Sequence, residues 1–157
     1  MDRTPLRVGV IADTHGLLRP AALEALRGCD HIVHAGDVGG PAILEALAEL
    51  APLSTVRGNN DREPWAETLP ERLRLELGGV SVYVLHDLKT LDFAPADQGI
   101  AVVISGHSHT PRQDRRDGVL YLNPGSAGPR RFRLPIALAH LVLGDGEPRV
   151  EPIDLAG

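Results

Sequence analysis

Residues 6–16 read Leu-Arg-Val-Gly-Val-Ile-Ala-Asp-Thr-His-Gly. The run Leu6 to Ala12 is apolar at nearly every position, which predicts a strand covered on both faces. It stops abruptly at Asp13-Thr14-His15-Gly16. Working outward, the same plan recurs twice. Ile32 to Ala35 is a second short apolar run, closed by Gly36-Asp37, and Leu53 to Val56 is a third, followed by Gly58-Asn59-Asn60-Asp61. Between them lie two helical signals. Pro20 to Arg27 and Pro41 to Leu50 each begin with proline, whose missing N–H costs nothing at a first helical position. Ile43, Leu44, Leu47 and Leu50 fall on one helical face. This βαβαβ rhythm predicts parallel strands with right-handed crossovers.

The second half of the chain changes character. Leu73 to Leu77 and Val80 to Leu85 flank Gly78-Gly79 and read as a hairpin. Ile100 to Ile104 is a further buried strand. Arg112 to Arg116 and Val119 to Leu122 flank Asp117-Gly118 as a second hairpin. Ile136 to Leu143 and Arg149 to Ile153 close around Gly144-Asp145-Gly146. No Pro/Ser-rich linker separates the halves, so residues 1–157 read as one domain.

Composition narrows the function. Of 157 residues, 43% are hydrophobic and 24% charged, which suits a globular fold. Aromatics are 3%, so the core is aliphatic and stacking platforms for single-stranded nucleic acid are lacking. A formal charge of −5 argues against general binding to nucleic acid or membrane surfaces. Cys29 is the only cysteine, which excludes an intrachain disulfide and a multi-cysteine zinc site. The apolar stretch ending at Asp13 is too short for a signal core or a membrane span. The expectation is a cytoplasmic protein.

Chemistry is concentrated where the strands end. Asp13 and His15 follow the first strand, Asp37 the second, and Asn59 the third. His86 follows Val80 to Leu85, and His107 and His109 follow Ile100 to Ile104. Open α/β sheets bind ligands at this carboxyl edge. The seven donors are nitrogen and oxygen only. That set suits Mn, Fe, Zn, Ni or Co, and it exceeds what one tetrahedral ion needs. Two ions at about 3.5–4 Å sharing a carboxylate fit the number better. In extended backbone, residues i and i+2 point the same way, so Asp13/His15 and His107/His109 are each expected to aim at one site.

The ordered series Asp13-Thr14-His15, Gly36-Asp37, Gly58-Asn59, His86 and Gly106-His107-Ser108-His109 resembles the calcineurin-like metallophosphoesterases. The closest resemblance is to their small bacterial and archaeal phosphodiesterase branch. Asn123-Pro124-Gly125-Ser126 matches a further motif of that branch. The resemblance spans about residues 6 to 143. It implies an α/β fold, a four-layer α/β/β/α sandwich of two mixed sheets flanked by helices. It also implies one ion on Asp13, His15, Asp37 and His109, and another on Asp37, Asn59, His86 and His107, with Asp37 bridging. Manganese is the first choice of metal. Asp37, Asn59 and His86 would form the catalytic group around a bridging hydroxide that attacks phosphorus in line. The site would carry about +1 by formal count, so it would attract a small phosphate ester although the chain is acidic.

The chain departs from many relatives at Asn60, where they carry His. An amide donates a hydrogen bond but no proton. The group that protonates the leaving oxygen is therefore unassigned, with Asp61 and His34 as candidates.

Each residue alone has a plainer reading. Asp13 and Asp37 suit helix caps, Asn59 suits a turn, and His107 and His109 suit a polar loop. Their joint placement outweighs those readings. His31 is expected to be exposed, His34 buried and hydrogen-bonded, and His140 structural. Trp65 and Phe93 are read as packing or rim residues. Arg57, Arg62, Arg130 and Arg131 are candidate phosphate contacts, with solvation as the plainer reading. Asn123 to Ser126 reads as a structural turn. Two further functions compete. One is a protein-binding scaffold, as in the eukaryotic retromer subunit that resembles this branch. The other is a nuclease or nucleotide-specific hydrolase, although no broad basic face supports it. A homo-oligomer is compatible with the sequence.

Overall fold

The computed structural model describes residues 5–131, 133–144 and 146–155. Residues 1–4 and Asp145 of the last expected turn lie outside the described residues. Ten strands and two α-helices follow in order: β1 (Leu6–Ile11), α1 (Pro20–Leu26), β2 (His31–His34), α2 (Pro41–Ala48), β3 (Leu53–Thr55), β4 (Arg72–Leu77), β5 (Val80–Leu85), β6 (Val102–Ile104), β7 (Arg112–Arg116), β8 (Val119–Asn123), β9 (Ala137–Leu143) and β10 (Arg149–Asp154). Among the described residues no helix is long and apolar enough to cross a membrane.

The strands form two five-stranded sheets, ordered β10-β9-β1-β2-β3 and β4-β5-β6-β8-β7. Both are mixed. In the first, β1, β2 and β3 run parallel and β9 joins β1 antiparallel. In the second, β5, β6 and β8 run parallel between antiparallel edge strands β4 and β7. The parallel strands of the first half and both expected hairpins are therefore present.

The inner faces meet in an aliphatic core that includes Val8, Val10, Val33, Val84, Ile104 and Leu141. Period-two alternation puts Val8 and Val10 into this core, while Ile11 faces the helices. Helices of seven and eight residues are too short to be stable alone. Ala22 and Leu26 of α1, and Ile43 and Leu47 of α2, are buried against the first sheet. Each buried leucine or isoleucine contributes about 1.5–3 kcal/mol through burial. Leu44 and Leu50 pack partly buried on the same cluster.

The fourth layer is thinner than the expected helices. The outer face of the second sheet is covered by two 3-10 turns, Leu88–Thr90 and Pro95–Gln98. Leu88, Leu91 and Phe93 are the apolar side chains this segment lays on the sheet. They are too few to hold a longer amphipathic helix there.

The parallel arrangement fixes where the carboxyl ends lie. β1, β2 and β3 deliver residues 12–16, 35–39 and 56–61 to one edge of the first sheet. β5, β6 and β8 deliver residues 86–87, 105–109 and 124–128 to the adjoining edge of the second.

Candidate metal centre

The loops at this edge are stitched by backbone bonds. Asp13 N donates to Gly36 O (3.0 Å) and His15 N to Asp37 O (3.0 Å), which prolongs the β1–β2 ladder past the strand ends. Other bonds cross between the sheets. His107 N donates to Asp13 Oδ2 at 3.0 Å, and His86 Nδ1 donates to the Ala35 carbonyl at 2.8 Å. A carbonyl only accepts, so the His86 proton sits on Nδ1 and Nε2 turns to the centre.

The side chains then gather into two groups. In one, His15 Nε2 and His109 Nε2 lie 3.7 and 3.6 Å from Asp13 Oδ1 and 3.3 Å from each other. The other comprises Asp37, His86 and His107. Asp37 Oδ2 stands between the groups, 3.7 Å from His15 Nε2 and 3.2 Å from His86 Nε2. Asn59 joins the second group through Oδ1, 3.2 Å from His107 Nδ1. All seven residues singled out from the sequence thus reach one edge. His107 and His109 fall in different groups, so alternation along an extended segment does not describe them.

The reason is backbone conformation. Asp13 (φ 55°), His15 (46°), Asp37 (57°), His107 (71°) and His109 (62°) are left-handed. Among the described residues the one other non-glycine in that region is Asp117, in the β7–β8 turn. Left-handed backbone costs an L-residue roughly 1–2 kcal/mol. Five such residues around one centre mark loops held by their surroundings to present these side chains.

Glycines make room for them. A Cβ on Gly58 would lie 2.1 Å from Asp37 Oδ1, and one on Gly106 would lie 2.9 Å from Asp13 Oδ2. Asp13 Oδ1 and His86 Nε2 are buried without a hydrogen-bond partner among the described residues. Buried polar atoms are costly to leave unpaired. A divalent cation among these carboxylates and imidazoles would satisfy both, and the donor set fits such an ion.

Residues 6–146 match the sequence pattern of the calcineurin-like phosphoesterase superfamily domain. The chain belongs to this family.

This phosphoesterase-family chain is 36% identical over 151 residues to a probable metallophosphoesterase of Methanothermobacter thermautotrophicus, covering 89% of this chain and 87% of that one. It is 30% identical over 145 residues to the phosphodiesterase YfcE of Escherichia coli, covering 73% and 76%. The structure of vacuolar protein sorting 29 from Cryptosporidium parvum superposes with a TM-score of 0.78 at 18% identity, covering 97% and 98%. That last likeness is one of fold.

Electrostatics separates the two carboxylates of this phosphoesterase-family site. Burial pushes the Asp13 carboxyl up to about 7, and the nearby Asp37 charge adds to the rise. Burial also works against charge on Asp37. There the His86 ring and the Asn60 N–H outweigh it and hold the carboxyl at about 2. Burial disfavours a charged His86, but Asp37 and the Ala35 carbonyl raise its pKa above the ordinary value. Burial lowers His15, and burial with the Arg131 charge lowers His109 to about 4.

Residues outside the ligand set hold the centre in shape. His34 is fully buried. Its Nδ1 accepts from Gly36 N (3.1 Å), so Nε2 donates to Thr14 Oγ1 (3.0 Å), and Thr14 donates to Val38 O (2.7 Å). Asp61, also buried, accepts three backbone N–H bonds, from Val38 (3.1 Å), Gly39 (3.1 Å) and Gly58 (3.0 Å). Both candidates for a leaving-group acid are thus occupied in tying loops together. Asn60 is likewise committed, donating its N–H and its amide to Asp37. The turn Asn123 to Ser126 is structural, as expected. Asn123 Nδ2 donates to Gly106 O (2.9 Å) and Ser126 Oγ to Asp13 O (3.1 Å).

Sequence reasoning missed the role of Asp61. The available signal was its place three residues after Gly58, where an Asp side chain can accept from its own loop. His31 is half-buried and bonded to Ser54 Oγ at 2.9 Å, where exposure was expected. His140 is structural, its Nε2 donating to Ala25 O at 2.7 Å. Of the four arginines considered, Arg57 pairs with Glu71, Arg62 bonds to Asn59 O, and Arg130 bonds to Leu134 O. Arg131 is the one whose charge reaches Asp13, His15 and His109.

Proposed function

We propose that this chain hydrolyses phosphodiesters with two divalent ions. One is held by Asp13, His15, Asp37 and His109, and the other by Asp37, Asn59, His86 and His107. The observation that carries the reading is the position of Asp37 Oδ2 between the two groups. Manganese is the first choice, with Fe, Zn, Ni and Co also compatible with nitrogen and oxygen donors. When bound, such ions supply the Lewis acidity that makes water nucleophilic near neutral pH and steadies charge on the phosphoryl oxygens.

The protein's own part is placement and charge. Asp37 stays ionised across the working pH range and turns one oxygen, Oδ2, to both groups. The bond from His86 Nδ1 to Ala35 O keeps Nε2 directed inward. Asn59 presents a neutral oxygen, so it adds a donor without adding negative charge. Asp61, His34 and Asn60 are all engaged elsewhere, so none is placed to protonate a departing oxygen. Diesters with good leaving groups should therefore be favoured, because a missing general acid forfeits a factor of about 10²–10⁴.

Metal analysis with an ester panel tests the reading. Two ions per chain are expected, and chelation should abolish diester hydrolysis. Asp37→Ala should lower metal content more than His15→Ala or His107→Ala. Diester hydrolysis that survives exhaustive chelation would overturn the mechanism. Two bound ions with no turnover of any ester would favour a scaffold instead.

A further inference from the structure

Where the outer layer of the second sheet thins to 3-10 turns, a groove opens beside the candidate centre. It has a volume of about 410 Å³ and runs from His107 and Ser108 between the Asp87–Lys89 segment and Arg112. Leu88 and Tyr121 give it apolar walls, and Ser105 and Asn123 lie at its closed side. A second cavity of about 280 Å³ adjoins it, and Asp87 and His107 line both. A phosphodiester has two organic substituents, and two cavities meet at His107.

The cavities differ in charge. In the smaller one, Arg57 is paired with Glu71 at 2.7 Å, and Arg72 donates to Thr90 O at 2.6 Å and reaches Asp92 at 3.4 Å. In the groove, Arg112 is paired with Asp114. Lys89 is exposed, and its ammonium has no hydrogen bond or ion pair among the described residues. It is also the only lysine in the chain. The register of β7 and β8 puts Arg112 and Arg116 on the same face as Tyr121, and the Arg116 guanidinium sits 4.6 Å from the Tyr121 ring centroid. One wall is thus apolar, and the rim carries the Asp87 carboxylate beside two cations, Arg112, which is paired with Asp114, and Lys89, which is uncommitted.

We propose that this groove is the subsite for one ester substituent, and that it selects a planar, largely apolar group carrying an anionic charge. The proposal rests on the phosphodiesterase reading above. It adds that Leu88 and Tyr121 contact the planar group and that Lys89 meets its charge. Lys89 and Tyr121 are specificity residues here, with no part in the reaction itself.

Two measurements test it separately from that reading. In the first, metal-free protein is titrated with 4-hydroxybenzoate and with phenol, and amide shifts are followed by NMR. Saturable shifts at Leu88, Lys89 and Tyr121 are expected, with 4-hydroxybenzoate binding about fivefold more tightly than phenol. Lys89→Glu should erase that difference. Absence of shifts in the groove, or an unchanged difference in Lys89→Glu, overturns the proposal. In the second, metal-loaded protein is assayed with diphenyl phosphate and bis(4-carboxyphenyl) phosphate, whose symmetry removes any ambiguity of orientation. The ratio of kcat/KM for the carboxylated diester over the plain one should fall about tenfold in Lys89→Glu. It should stay within twofold in Arg130→Glu, a charge reversal outside the groove. An equal fall in both variants would make the effect one of overall charge and overturn the proposal. Turnover of neither diester by the wild-type protein, with the NMR shifts intact, would overturn the phosphodiesterase reading and the subsite with it, leaving a groove that binds aromatic anions for another purpose.

Discussion

Asn60 grips Asp37 with two donors, its backbone N–H at 2.9 Å from Oδ1 and its side-chain amide at 3.2 Å from Oδ2. Asn60 is therefore turned toward the bridging candidate. Hydrogen bonds to a charged acceptor contribute about 1.5–3 kcal/mol. Asn60→Ala keeps the backbone bond and loses the amide bond. The expected outcome is a roughly tenfold weaker hold on metal, read by competition with a chelator. The relative rates on aryl and alkyl diesters should not change, because Asn60 is aimed at Asp37. A change in that selectivity without a change in metal affinity would show Asn60 acting on the leaving group instead.

Asp61 joins the loop after β2 to the loop after β3 through its three N–H bonds. Asp61→Asn swaps one acceptor oxygen for an NH₂ that faces backbone donors. At least one buried N–H then loses its partner, at a cost of about 1–3 kcal/mol. A corresponding drop in stability by urea unfolding is expected, with metal uptake weakened as well because Asp37 and Gly58 lie on the two joined loops. A variant of wild-type stability would show that these bonds are readily replaced by water.

His34 predicts a pH dependence of stability. Burial lowers its folded pKa from 6.5 to about 3. The unfolded chain therefore binds this proton and the folded chain does not, between pH 6.5 and about 3. Stability from this group is fully present above pH 6.5 and is lost progressively as pH falls toward 3. One proton corresponds to a slope of about 1.4 kcal/mol per pH unit. Between pH 6.5 and 5 the wild-type protein should lose about 2 kcal/mol that His34→Gln does not lose. Urea unfolding of both proteins at the two pH values measures the difference. Equal losses would place the proton elsewhere.

Asp13 predicts a pH dependence of metal uptake. Its folded carboxyl is raised to about 7, so it is largely protonated in mildly acidic, metal-free solution. A bound ion needs the carboxylate, so binding must displace this proton. Affinity should climb as pH rises from 5.5 to 7 and level off above that. Calorimetry in buffers of different ionisation enthalpy should record proton release at pH 6 and less at pH 8. Release that is equal at both values would mean that Asp13 is already ionised in the free protein.

The strands, the two helices and both hairpins were legible because each rests on local chemistry. Apolar runs of strand length, proline at helix starts and glycine turns act within a few residues. The seven donors were legible for a related reason. A parallel strand must end at the same edge as its neighbours, so a polar residue just past each strand end is placed by topology alone.

What the tertiary structure decided was everything that depends on residues distant in sequence. His107 and His109 lie two residues apart yet serve different groups, because left-handed backbone held by Asp13 and Asn123 overrides simple alternation. Asp61 and His34 were open as proton donors until their partners were known, since a side chain's chemistry depends on what already occupies its lone pairs and hydrogens. The groove beside His107 was likewise invisible. It is lined by residues 87–89, 105–108, 112 and 121–123, separate stretches that only the fold brings together.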